Sequence, residues 1–210
     1  MSARLLVKIC GITRAEDAAA AAQLGAGALG FVFWPGSPRF IDPSRARAIV
    51  ATLPPFVTPV GVFVNQAAAE VNEIAAVVGL GVVQLHGDET VQYAAGIHRP
   101  IVKSFPLGDA PAGDVDAWPA HVMLLVDALD PERRGGTGRT ADWSKAARVA
   151  ARRPTLLAGG LRPENVAEAI AHVRPAGIDV SSGIEAAPGI KDHARLAALF
   201  AAVRAVDRPS

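Results

Sequence analysis

The sequence predicts a single-domain (β/α)8 TIM barrel over residues 1–210, with a short or degenerate fifth helix. Three observations carry that prediction. Short apolar runs alternate with longer Ala-rich stretches about eight times within a chain of barrel length. The first run is followed by Cys10-Gly11-Ile12-Thr13-Arg14 rather than the G-x-G-x-x-G fingerprint that the competing open, doubly wound sheet would need. Polar residues collect where successive runs end, and the carboxyl ends of the strands are where a barrel builds its site.

Taken in order, Leu5–Ile9 reads as the first strand and Arg14–Leu24 as its helix, with Thr13 as cap and Glu16 three residues on. Ala28–Phe33 precedes Pro43–Leu53, which Asp42-Pro43 opens. Val57–Val64 precedes the periodic segment Gln66–Val78. Val82–Leu85 and Ile101–Phe105 are strands four and five. The connection Leu107–Pro119 is rich in proline and glycine, so the fifth helix is expected to be short or replaced by loop. Val122–Val126 precedes Trp143–Ala151, and Thr155–Ala158 precedes Pro163–His172, where Pro163 and Glu164 mark a helix start. Gly177–Val180 and Asp192–Val206 complete the alternation.

Twenty-one Lys plus Arg against twenty Asp plus Glu leave a formal charge of +1, which provides no long-range field for a polyanion. Nucleic acid is not expected as a partner. One cysteine in 210 residues makes no internal disulfide, and no apolar run approaches the roughly 20 residues that span a bilayer. The N-terminal stretch lacks a signal peptide's apolar core, so the expected protein is cytoplasmic, without a membrane partner. His98, His121, His172 and His193 are scattered without ligand spacing, and no metal or other cofactor is expected. Oligomeric state stays open between monomer and homodimer.

The strand ends point to chemistry. They deliver Cys10, Gln84-Leu85-His86-Gly87, Asp127, Ala158-Gly159-Gly160 and Asp179-Val180-Ser181-Ser182-Gly183. Glycines after strand seven permit close backbone approach, and Ser181, Ser182 and Gly183 after strand eight can offer N–H groups and hydroxyls at a short helical turn. Gly159, Gly160, Ser181, Ser182 and Gly183 together read as a phosphate cradle; separately they would be a tight turn and ordinary caps. Strand alternation puts Leu6, Lys8 and Cys10 on one face, Met123, Leu125 and Asp127 on another, and aims Gln84 with His86. Lys8 then lies inside the barrel and needs a counter-ion, for which Asp179 on the neighbouring strand is the nearest candidate. Cys10 by itself is compatible with a small buried core residue.

Lys8-Ile9-Cys10-Gly11-Ile12-Thr13, Ser37-Pro38-Arg39, Gln84-Leu85-His86-Gly87, Gly135-Gly136-Thr137-Gly138 with Asp142-Trp143, Leu157-Ala158-Gly159-Gly160-Leu161 and Asp179–Glu185 occur in that order. The set resembles the phosphoribosylanthranilate isomerase family of tryptophan biosynthesis. The resemblance runs from Lys8 to about Asp192 and implies a cofactor-free barrel acting on a small-molecule substrate, N-(5'-phosphoribosyl)anthranilate. The implied product is 1-(2-carboxyphenylamino)-1-deoxyribulose 5-phosphate, formed by an Amadori rearrangement that isomerises an aldose to a ketose. It further implies Cys10 as general base and Asp127 as general acid. A thiol acting as base must ionise near neutral pH, whereas the carboxyl group must hold its proton.

Within that frame Arg39 is the natural bidentate partner for the anthranilate carboxylate, although a loop arginine can also be plain surface. His86 and Asp179 either touch the substrate or serve structure. Thr137-Gly138 read as a loop over the site or as an exposed turn. Ala141, where the family often carries an aromatic residue, and Val126, where leucine is frequent, are the departures. The related isomerase of histidine biosynthesis is the enzymatic rival, and it is disfavoured because strand one ends in a thiol and Val64-Asn65-Gln66 stands where a second phosphate site would be. A non-catalytic phospholigand-binding barrel is the rival of another class.

Overall fold

The computed structural model describes residues 5–107, 115–127 and 143–206. Eight parallel strands close on themselves in sequence order: β1 (Leu6–Cys10), β2 (Ala28–Val32), β3 (Thr58–Phe63), β4 (Val82–Leu85), β5 (Ile101–Pro106), β6 (Met123–Asp127), β7 (Thr155–Ala158) and β8 (Gly177–Val180). Closure is made by β1 against β8, in a register that sets Lys8 directly beside Asp179. Among the described residues seven helices clothe the barrel: α1 (Ala15–Leu24), α2 (Pro43–Val50), α3 (Ala68–Val78), α4 (Val91–Ala94), α5 (Trp143–Ala150), α6 (Val166–Val173) and α7 (His193–Val206). A hairpin of β9 (Glu185–Ala187) and β10 (Ile190–Lys191) follows β8. Among the described residues no helix is long and apolar enough to cross a membrane.

The two faces of each strand go to two cores. Val7, Ile9, Phe31, Phe63, Leu124, Val126, Leu157 and Ile178 join the helices in one large apolar layer, while Val102, Leu125, Leu156 and Ala158 fill the barrel interior with Val82 and Met123. The interior is therefore mainly apolar on the β5–β7 side, with Ser104 buried on β5 and Asp127 at the end of β6. On the β1, β4 and β8 side it carries Lys8, Gln84 and Asp179.

Local chemistry explains the helix ends, with one exception. Asp42 accepts a hydrogen bond from the backbone N–H of Ser44 at 2.8 Å ahead of Pro43, as an N-cap should. Gly25 ends α1 in the left-handed region at φ 108°. The expected Thr13 cap of α1 is not made: Arg14 occupies the cap position without a side-chain capping bond, and the Thr13 hydroxyl donates to the carbonyl of Gly189 at 2.5 Å. A long-range contact to the β9–β10 turn has displaced a local one. Likewise α6 starts at Val166 rather than Pro163, because Asn165 turns back to accept from Arg162 N–H at 2.9 Å.

In the fifth unit only the 3₁₀ turn Val115–Ala117 is helical among the described residues, as the composition predicts. Arg153 takes over the task of satisfying backbone there. Its guanidinium donates to the carbonyls of Val115, Trp118, Pro119 and Val122 at 2.6–3.0 Å. Trp118 then packs edge-on against Phe105, with ring centroids 6.3 Å apart.

Phe63 is fully buried and stacks on Phe33 at 5.3 Å between barrel and helices. Phe63→Ala is expected to cost about 3–5 kcal/mol in denaturant unfolding, the range for an aromatic side chain removed from a packed core.

Candidate active site

A cavity of about 500 Å³ opens at the carboxyl ends of the strands. All ten residues singled out from the sequence line it: Cys10, Arg39, His86, Asp127, Gly159, Gly160, Asp179, Ser181, Ser182 and Gly183. Val32, Trp34, Val62, Val64 and Leu125 supply its apolar wall. The Gly135–Gly138 string and Asp142 lie outside the described residues.

At the floor, Lys8 donates to Asp179 Oδ1 at 2.8 Å, and the two side chains are 1% and 9% exposed. The pairing inferred from strand parity is present. Burial alone would drive Lys8 toward neutrality, but Asp179 and then Cys10 hold its pKa above the ordinary lysine value. The thiol of Cys10, one layer higher, is pushed upward by burial, an effect that Lys8 opposes and Asp179 reinforces. Gly30 on β2 makes the room they need. A Cβ there would stand 2.8 Å from Cys10 Sγ and 3.1 Å from Lys8 Nζ.

On β4, Gln84 Nε2 lies 3.0 Å from His86 Nδ1. With the amide donating, Nδ1 accepts and the ring proton sits on Nε2, a donor for the cavity. Burial lowers the imidazole pKa below its usual value, which favours that neutral form. Gln84 Oε1 and Ser181 Oγ are buried without hydrogen-bond partners in the described structure. Both residues line the cavity, where a ligand can satisfy them.

At the far end, Gly159 and Gly160 take φ values of 96° and 62°, open to glycine at little cost. Gly183 begins the contact between the β7 and β8 loops, since a Cβ there would fall 1.9 Å from the carbonyl oxygen of Leu161. Asn165 Nδ2 donates to Gly160 O at 3.1 Å, and Arg195 Nε to Gly183 O at 3.0 Å. Two carbonyl acceptors are thereby taken up by side chains behind the wall. What remains facing an incoming anion is richer in donors.

Arg39 departs from the simple picture of a free guanidinium. Its Nε and Nη2 edge grips Glu185 at 2.9 and 2.6 Å, which keeps its pKa above the usual arginine value and leaves the outer edge to the cavity. Sequence reasoning missed Glu185, Lys191 and Gly30. Glutamate and lysine are ordinarily surface residues, and a glycine inside a strand signals close approach without naming what approaches.

The family model for N-(5'-phosphoribosyl)anthranilate (PRA) isomerase matches residues 7–202. The N-(5'-phosphoribosyl)anthranilate isomerase of Pseudomonas fluorescens (strain Pf0-1) is 51% identical over 199 residues, covering 94% of this chain and 97% of its own. The crystal structure of phosphoribosyl anthranilate isomerase from Thermotoga maritima superposes with a TM-score of 0.88 at 42% identity, over 96% of this chain and 99% of that one. A second isomerase structure, in complex with reduced 1-(o-carboxyphenylamino)-1-deoxyribulose 5-phosphate, gives 0.85 at 39% identity over the same shares.

Lys8→Met leaves Asp179 as an unpaired buried carboxylate, and a loss of about 3–5 kcal/mol in urea unfolding is expected. Because Cys10 is the only thiol, iodoacetamide labelling reports it alone. The same substitution removes the leading charge that restrains the thiol pKa, so the labelling midpoint should move to higher pH.

Proposed function

The chain belongs to the N-(5'-phosphoribosyl)anthranilate isomerase family, and from that premise we propose that it is the aldose–ketose isomerase of tryptophan biosynthesis that converts N-(5'-phosphoribosyl)anthranilate to 1-(2-carboxyphenylamino)-1-deoxyribulose 5-phosphate. The observation that carries the reading is the placement of Cys10 and Asp127 on one cavity, at the ends of β1 and β6, with the glycine-and-serine cradle between them on β7 and β8. In this reading the pentose ring, anchored by its phosphate, lies between these two groups.

The chemistry runs in two proton transfers. Asp127 protonates the ring oxygen as the C1'–O bond breaks, leaving a Schiff base between C1' and the anthranilate nitrogen. Cys10 as thiolate then removes the proton from C2', the electrons of that C–H bond form an enolamine, and tautomerisation gives the ketone. Burial holds the Cys10 pKa above its ordinary value, against the ionisation near neutral pH that the base role requires. Lys8 below it, bridged to Asp179, is the nearest stabilising cation.

The remaining parts bind. Gly159, Gly160, Ser181, Ser182 and Gly183 hold the phosphate through backbone N–H groups and hydroxyls. The outer edge of Arg39 receives the anthranilate carboxylate, and Trp34 with its valine neighbours walls the aromatic ring. His86 donates from Nε2 to the sugar, while Asp179 supports Lys8.

Purified protein is expected to abolish the fluorescence of phosphoribosylanthranilate. Cys10→Ala and Asp127→Asn should each lower kcat by roughly 10²- to 10⁴-fold, the usual worth of a positioned proton-transfer group, while still binding product in an equilibrium titration. Wild-type turnover in either variant would remove that residue from the mechanism.

A further inference from the structure

We propose that Glu185 and Lys191 are positioning residues for this isomerisation: Glu185 sets the guanidinium of Arg39 to receive the substrate carboxylate, and Lys191 fixes the backbone that carries Cys10. The proposal rests on the roles given above to Arg39 and Cys10.

Lys191 ends the β9–β10 hairpin with its side chain fully buried. Its ammonium donates to the carbonyl of Cys10 at 2.6 Å, to the carbonyl of Ser181 at 3.4 Å and to Glu185 Oε1 at 2.9 Å. Each acceptor belongs to a segment carrying a different part of the site: the thiol, the phosphate cradle and the carboxylate clamp. The backbone N–H of Lys191 is itself held by the buried carboxylate of Asp17 at 3.0 Å.

Glu185, 5% exposed in its side chain, is the hub. One oxygen receives Lys191 and the backbone N–H of Gly189 at 3.2 Å; both receive the inner edge of Arg39. The stem of Arg39 runs across Gly11, where a Cβ would stand 2.6 Å from its Cδ and 3.1 Å from Ser181 Oγ. Arg39 is thus clamped at its stem by the β1 loop and at its head by Glu185. One carboxylate serves two cations, so the wall beside Cys10 keeps a net positive charge.

A hairpin staple alone does not need this chemistry. Burying an ammonium is costly, and an apolar side chain of similar size fills the space without that cost. What the ammonium adds is a fixed direction for three polar groups and a positive charge beside the thiol.

The full-length protein carrying Glu185→Gln, and separately Lys191→Met, tests this by steady-state kinetics, inhibition by inorganic phosphate and the pH profile of iodoacetamide labelling. Glu185→Gln should raise KM roughly tenfold, with kcat changed by less than about threefold and the phosphate inhibition constant by less than about twofold, as expected when one charge-assisted contact is weakened. Lys191→Met should lower kcat roughly tenfold and move Cys10 labelling to higher pH, since a buried cation has left the thiol. An unchanged KM in Glu185→Gln, or KM and phosphate inhibition worsening together, overturns the proposal. Unchanged kcat and labelling in Lys191→Met overturn the part given to that residue. If Lys191→Met does not fold, Glu185→Gln, nearly identical in volume, decides. Failure of the underlying reading looks different: wild-type protein would leave phosphoribosylanthranilate unconverted, or Arg39→Ala would keep the wild-type KM.

Discussion

An ammonium and a carboxylate meet across the seam where the barrel closes, and the site is built outward from that contact. Lys8 and Asp179 are register partners on β1 and β8, 2.8 Å apart and almost free of solvent. Because strand side chains alternate, fixing Lys8 inward fixes Cys10 inward one layer above it. On the other side of the seam, fixing Asp179 sets where Ser181, Ser182 and Gly183 leave the strand. A one-residue slip between β1 and β8 would separate the charges and turn the thiol toward the helices. A buried pair is poor value as pure stabilisation, but breaking it is expensive, so it discriminates strongly against the wrong register.

How much of this was legible in the sequence follows from the kind of information each feature carries. Strand positions came from short apolar runs, and the two faces of β1, β4 and β6 from a period of two, so Lys8, Cys10, Gln84, His86 and Asp127 could be placed before any coordinates. Local rules failed where distant chain competed. Thr13 has the right identity and spacing for a cap, yet its hydroxyl goes to Gly189, 176 residues away. The four-residue α4 carries too little periodicity to be recognised. Lys191 was invisible, and Glu185, although it closes the Asp179–Glu185 string, carried no role, for a simpler reason: their types predict solvent, and only the fold of the β9–β10 hairpin over the end of β1 puts them inside. The degenerate fifth unit was legible as a deficiency, but not the remedy, in which Arg153 donates to four carbonyls of the segment that leads into β6.

The electrostatics of the site also impose an order on the proposed reaction. Among the described residues, Lys8, Arg39 and Lys191 stand around the cavity against Asp127, Asp179 and Glu185, a balanced set of three cations and three carboxylates. The substrate brings a phosphate of about −1.5 to −2 charge and a carboxylate, which tip that balance negative. An added anion favours the protonated form of a nearby carboxyl group and equally disfavours a thiolate. In the proposed reaction, substrate binding therefore works against Cys10 as a base. Relief comes only once the ring opens, because the Schiff base carries a positive charge beside C2' when its nitrogen is protonated. That charge acidifies the C2' proton and attracts the thiolate in the same step. Acid catalysis must then precede base catalysis, with Lys8 and Lys191 limiting the cost of the thiolate until the substrate supplies its own cation.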